Sequence, residues 1–163
     1  MWITTDQLLL LLLLLTTNGA PLLARELLRS SFNHPIDGGH RLASDHPLLG
    51  PSKTWRGVIA ALLLTPLVSL LLGLGWQLGL VIALFAMLGD ISSSFIKRRL
   101  GMPSSSMALG LDQVPESLLP LLACRLLIEL PLTQLALLVV LFFIAELLLS
   151  RVLFWLHIRR HPY

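Results

Sequence analysis

WQLGLVIALFAMLGDISSSFIKRRLG, residues 76 to 101, is uncharged through Leu88, then meets a lone acid, Asp90, and closes on three consecutive cations, Lys97, Arg98 and Arg99. A helix needs about 20 mainly apolar residues to cross a bilayer, and Trp76 to Ile96 has that length. On a helix, residues 90, 94, 97 and 98 follow i, i+4, i+7 and i+8, so Asp90, Ser94, Lys97 and Arg98 share one face near its end. An acid facing hydrocarbon is costly, and intramembrane ionisable groups normally face a polar interior or cavity. Two readings stand open for this segment alone. One is a local ion pair beside snorkelling cations that set topology; the other is an active site.

The rest of the chain supplies the same solvent argument. Of 163 residues, 55% are hydrophobic and 13% charged, and the mean hydropathy is +0.82. That excludes an ordinary soluble domain and makes lipid the expected solvent. Five stretches predict spanning helices: roughly Trp2 to Ala24, Val58 to Leu74, Trp76 to Ile96, Leu118 to Leu130 with its flanks, and Leu132 to Leu156. Pro120, Arg125, Glu129 and Pro131 interrupt the fourth. The leading MWITTDQ has an acid and no Lys or Arg, which is wrong for a secretory signal, so the first run is expected to be a retained span. The lone Cys124 excludes an intramolecular disulfide and a multi-Cys metal site.

The expected fold is therefore all-α, a polytopic membrane protein of about five helices forming a single domain, residues 1–163. Arg25, Arg29, Arg41, Lys53 and Arg56 follow the first span, Lys97, Arg98 and Arg99 the third, and Arg151, Arg159 and Arg160 lie at the C-terminal end. With five spans these regions share one side, so the positive-inside rule predicts cytoplasmic loops at about 25–57 and 97–117, a cytoplasmic C-terminus and an external N-terminus. The +3 net charge is then a feature of a cytoplasmic membrane face and does not point to nucleic acid. Trp2, Trp55, Trp76 and Trp155 fall near span ends, as interfacial aromatics do.

Nearly all polar chemistry falls on that face. LDQVPES places Asp112 and Glu116 four residues apart, where like charges repel and a divalent cation would remove the penalty; an N-terminal helix turn favouring acids is the plainer alternative. GPSKTWRG, residues 50 to 57, has the Gly, Lys and Thr of a phosphate loop without the spacing of a P-loop. Its Lys53, Thr54 and Arg56 still suit phosphate, Arg in a bidentate manner. Two or three carboxylates, at least four cations and several hydroxyls suit Mg²⁺ bridging a nucleotide triphosphate and a lipid phosphate. His34, Asp37, His40, Asp45 and His46 match no strong zinc spacing. Arg125 and Glu129 stand at i, i+4 and are expected to satisfy each other inside the fourth span, while Asn18 either lines a lipid groove or braces a kink at Pro21.

PIDGG, LLGPSKTWRG, GDISSSFIKRRLG and LDQ, in that order on this membrane layout, resemble the CDP-archaeol synthase family, which is related to the phosphatidate cytidylyltransferases. NGAP at 18–21 also resembles the family's Asn and Pro position. The resemblance implies a cytoplasmic inner-membrane enzyme that binds CTP and Mg²⁺ and transfers CMP to a phosphatidate-like or archaetidate-like lipid phosphate, releasing pyrophosphate. It implies that Asp90 and Asp112 hold the metal, that Lys97, Arg98 and Arg99 neutralise the triphosphate, and that Lys53 and Arg56 contact phosphate, with Asp37 a metal or ribose ligand. Thr54, Ser94 and Asn18 complete the expected substrate contacts. The family has a second acid two residues after the Gln of LDQ, whereas here the next acid is Glu116, the expected third metal ligand. Partners are membrane lipids, the two substrates and a further copy of the chain. The rival expectation is a non-catalytic membrane protein, a transporter subunit or scaffold, that retains this frame.

Overall fold

The computed structural model describes residues 5–41 and 46–156. Five helices follow in order: α1 (Thr5–Leu28), α2 (Trp55–Leu71), α3 (Trp76–Arg99), α4 (Gln113–Cys124) and α5 (Leu132–Trp155). No strand occurs among the described residues, only two isolated bridges in the first loop. α1, α3 and α5 are each long and apolar enough to cross a membrane, and the chain is a multi-pass membrane protein. α2, at 17 residues, rises about 25 Å, close to the hydrocarbon thickness. The expected fourth span is the element that differs. α4 has 12 residues, about 18 Å of rise, and turns follow it through Leu127. The expected partnership of Arg125 with Glu129 therefore loses its helical spacing, and no ion pair joins them among the described residues. Trp2, Asp45, Arg159 and Arg160 lie outside the described residues.

The loops are shorter than expected, 29–54 and 100–112, because α1 runs on to Leu28, α2 starts at Trp55 and α3 keeps its three cations inside its last turn. Asp6 in the first turn of α1 and Arg25 in its last complement the helix dipole. Pro21 removes one backbone donor inside α1. One turn earlier, the Thr17 hydroxyl and the Asn18 amide donate to the carbonyls of Leu13 (2.9 Å) and Leu14 (3.0 Å). Asn18 thus bonds within its own helix, one turn before Pro21.

In lipid, hydrophobicity does not drive helix against helix, so close packing and interhelical hydrogen bonds must. Successive helices meet at glycines. A Cβ on Gly57 would sit 3.0 Å from Cβ of Pro21, bringing α2 onto α1, and one on Gly79 would sit 2.6 Å from Ser69 and 2.7 Å from Pro66, bringing α3 onto α2. Gly89 brings α3 onto α4, where an added Cβ would strike the Pro115 carbonyl. Thr17 and Thr65 share a buried hydrogen bond of 2.9 Å between α1 and α2. Away from the loops, Leu10, Leu13, Leu14, Ile82, Leu121, Leu138 and Phe142 form the core of α1, α3, α4 and α5. Nearer the loops, the small residues Ala20 and Ala61 pack with Met87.

Candidate active site

α3 delivers Asp90 and Lys97 two turns apart, and the loops bring the other charges to them. Lys53, the last cation before α2, forms an ion pair with Asp90. Lys97 pairs with Asp112 at 2.6 Å and donates to the Ser106 carbonyl at 2.9 Å. The other Asp112 oxygen accepts from the Ala108 N–H at 2.9 Å, and the Gln113 amide oxygen accepts from the Gly110 N–H at 2.9 Å. Asp112 and Gln113 therefore fold the second loop back over α3 as well as charging it. Glu116, in the first turn of α4, is buried, and its carboxyl lies beside that of Asp90. This contact depends on the close approach at Gly89, whose neighbour is Asp90 and whose opposite number is the Pro115–Glu116 peptide.

Burial alone would lower the Lys53 pKa, but the charges of Asp90, Glu116 and Asp112 and the hydrogen bond to Asp90 outweigh it. The ammonium is held above its ordinary 10.5 and is charged throughout the neutral range. Arg98 is 3% exposed, lies within electrostatic range of Asp112, and keeps Nε and Nη1 buried with no hydrogen-bond partner. Buried guanidinium donors are seldom left unmade, so this side chain is suited to receiving an anion. The Ser106 hydroxyl is also buried and unpartnered.

Several expected contact residues are engaged within the fold. Arg56 donates from one nitrogen to the carbonyls of Arg29 (2.6 Å) and Ser31 (2.8 Å), clamping the turn after α1, where Arg29 and Phe32 have positive φ. Arg99 donates to the Pro47 carbonyl at 2.9 Å and stacks over Phe95. Thr54 heads α2 without a side-chain cap, and its carbonyl accepts from Gly57 and Val58. Ser94 is buried on α3. The His40 ring meets the Asp37 carbonyl at 2.6 Å, and no cluster of three metal-ligating side chains occurs among the described residues.

Asp37 organises the first loop. Its carboxylate accepts from the backbone N–H groups of Gly39 (3.0 Å), Leu49 (2.9 Å) and Gly50 (3.0 Å). Burial raises its pKa, but those bonds outweigh burial and hold it below the ordinary 3.8. A depressed carboxylate stabilises the fold above its unfolded pKa, and that contribution is lost as pH falls through the folded value. Asp37→Asn, or acidification well below pH 4, is expected to loosen residues 37–41 and 46–50, with about 1–3 kcal/mol of local stability lost in the variant. Limited proteolysis of this loop at neutral and acid pH checks it.

Sequence reasoning did not single out Ser106, Gln113 or Glu146 for the site. Gln113 adjoins Asp112 at a helix start, a signal for local loop closure. Glu146, a lone acid in the apolar α5, lies within electrostatic range of Glu116. Only packing of α5 against α4 reveals that proximity.

A family profile described as CarS-like, CDP-archaeol synthase, matches residues 27–163. Among curated proteins, a CDP-archaeol synthase of Hyperthermus butylicus is 38% identical over 103 residues, covering 60% of this chain and 58% of the relative. One of Pyrobaculum arsenaticum is 34% identical over 119 residues, covering 70% of this chain and 71% of the relative. One of Pyrococcus horikoshii is 36% identical over 90 residues, 48% of this chain and 53% of the relative. The chain thus spans little more than half the length of some of the curated relatives it matches. A solved structure of an intramembrane enzyme for archaeal membrane lipids biosynthesis superposes with a TM-score of 0.72 at 28% identity, covering 87% of this chain and 90% of that one. The helical frame, the ordered motifs and these matches agree: the chain belongs to the CarS-like CDP-archaeol synthase family.

Proposed function

We propose that this protein is a CTP-dependent cytidylyltransferase that transfers CMP to an archaetidate-like lipid phosphate, giving a CDP-lipid and pyrophosphate. One observation carries the reading: Lys53, Asp90, Lys97, Asp112 and Glu116 gather from two loops and two helices at one end of a membrane bundle, beside a buried guanidinium with unmade bonds. Charge of both signs at the end of the bundle suits a reaction joining a polar nucleotide to a lipid phosphate. The relatives' shared name supplies the lipid class.

The donor set fits Mg²⁺. Asp90 and Glu116 place two carboxyls in contact, a like-charge pair that needs a proton or a cation between its members, and Asp112 stands nearby on Lys97. Mg²⁺ commonly takes one or two carboxylates together with substrate phosphates, which this pair of carboxyls can supply. Asp90 and Glu116 would hold the metal, with Asp112 the third candidate; the metal, once bound, offsets charge developing on the phosphates. Lys53, Lys97 and Arg98 orient the triphosphate and neutralise the departing pyrophosphate. The lipid phosphate oxygen attacks the α-phosphorus, forming one P–O bond as the bond to the β-phosphate oxygen breaks. A phosphate monoester has a second pKa of about 6, so its oxygen is largely deprotonated at neutral pH and no histidine is assigned as base.

The topology proposed with this reading has five membrane-traversing segments, α4 together with residues 125–131 making the fourth. Loops 29–54 and 100–112 and the site are cytoplasmic, and the N-terminus is external. Purified protein in detergent with Mg²⁺, labelled CTP and a panel of lipid phosphates is expected to release pyrophosphate and form a CDP-lipid, with archaetidate preferred over phosphatidate. No product from any lipid, with no CTP binding, would refute the function. Equal use of both lipids would refute the lipid assignment alone.

A further inference from the structure

The two lysines assigned to phosphate are each already held by a carboxylate of the same site. Lys53 pairs with Asp90, and Lys97 with Asp112 at 2.6 Å. The first pair ties the loop before α2 to α3; the second ties α3 to the loop before α4. All four side chains are largely buried, at 20% and 19% exposure in the first pair and 8% and 15% in the second. Arg98, beside Asp112, is the buried cation whose Nε and Nη1 remain unpartnered.

Resting on the reading of this cluster as a metal–nucleotide site, we propose that the two ion pairs form a charge-exchange latch that admits CTP and its divalent metal together and resists either alone. A free triphosphate that draws Lys53 away leaves Asp90 unpaired against an incoming anion. A free cation that takes Asp90 leaves Lys53 unpaired in the same partly buried place. Removing one member of a buried pair exposes the other's uncompensated charge, which is strongly unfavourable. The metal–nucleotide complex avoids both penalties. Each carboxylate exchanges an ammonium for a metal ion, each ammonium exchanges a carboxylate for a phosphate oxygen, and every charge stays paired. The coupling is reciprocal by thermodynamic linkage. Opening both pairs removes one tie between each loop and α3, while Arg99 still holds the Pro47 carbonyl.

The test is calorimetric titration of the full chain in detergent without lipid, so that no turnover occurs. Three arms are run: Mg²⁺ alone, CTP with EDTA, and CTP with saturating Mg²⁺. In the wild type the third arm is expected to be tighter than either other arm by about 10–100-fold, within the usual range of coupling. Mg²⁺ also binds CTP in solution, so the variants decide the origin of the effect. Asp90→Asn releases Lys53 and is expected to bind metal-free CTP about tenfold more tightly than the wild type while losing the gain from Mg²⁺. Lys53→Met releases Asp90 and is expected to bind Mg²⁺ alone about tenfold more tightly. Asp112→Asn repeats the nucleotide arm on the second pair if Asp90→Asn is not monodisperse. Wild-type binding of the complex, with no single-ligand arm of the variants tightened, overturns the latch and leaves the functional reading standing. Wild-type protein that binds CTP in no arm overturns both.

Discussion

Asp90→Asn is expected to lower CDP-lipid formation by about 10²–10³-fold, the usual scale for removing one preorganised electrostatic group, while expression and membrane insertion stay unchanged. Asp90 stands where three separate demands meet. It pairs with Lys53, lies beside the Glu116 carboxyl, and is the proposed metal ligand on the most buried candidate span. Asparagine keeps its shape and one acceptor but removes the charge, so helix packing is spared and the metal loses an anionic ligand. The loss should lie in kcat for Mg²⁺-dependent turnover and should not be recovered by more CTP. Comparison with Glu116→Gln separates the two carboxylates. If both hold the metal, both variants fall; if Asp90 variants retain full activity, the metal assignment is wrong.

Gly89→Ala is the second large effect, and it acts through packing. A Cβ at this position would strike the Pro115 carbonyl and stand 2.9 Å from the Glu116 nitrogen. These are backbone atoms of α4, which cannot rotate away as a flexible side chain would, so the helices must separate. Overpacking of this kind costs about 1–3 kcal/mol. The larger consequence falls on the site, because the same contact sets Glu116 against Asp90. Turnover is expected to fall at least tenfold, with a lower thermal midpoint in detergent, and Gly89→Val should be worse on both measures. Gly19→Ala in α1, where an added Cβ meets nothing within 4 Å, serves as the control and should retain both. A Gly89→Ala protein as stable and active as its parent would show that α3 and α4 can part without disturbing the site.

The helices were legible because lipid imposes a simple rule: backbone groups must bond within the segment, so long uncharged runs become helices. Trp76 and Leu132 begin α3 and α5 in the structure where the sequence places them. The fourth segment was less legible. Pro115 falls in the first turn of α4, where proline is tolerated, and the helix ends at Cys124, before Arg125 and Glu129 can stand one turn apart. Single residues in and beside the loops were harder still. Arg56, in the first turn of α2, and Asp37 carry charges suited to phosphate or metal, and the structure also engages them with backbone groups, Arg56 with the carbonyls after α1 and Asp37 with N–H groups of its own loop. A loop's demand for hydrogen-bond partners leaves no periodic mark in a sequence.

The amino-acid sequence by itself determined a helical membrane protein with its cations and acids at loop-bearing ends, and placed Asp90, Ser94, Lys97 and Arg98 along one face of α3, since hydropathy and helical periodicity are local properties. Only the tertiary structure decided which charges meet: Lys53 with Asp90, Lys97 with Asp112, and Glu116 against Asp90. Those partners are 37, 15 and 26 positions apart along the chain, and glycine contacts between helices, most of all at Gly89, bring them within reach. Spacing along a chain records what one helix presents; the close approach of two backbones determines what it faces.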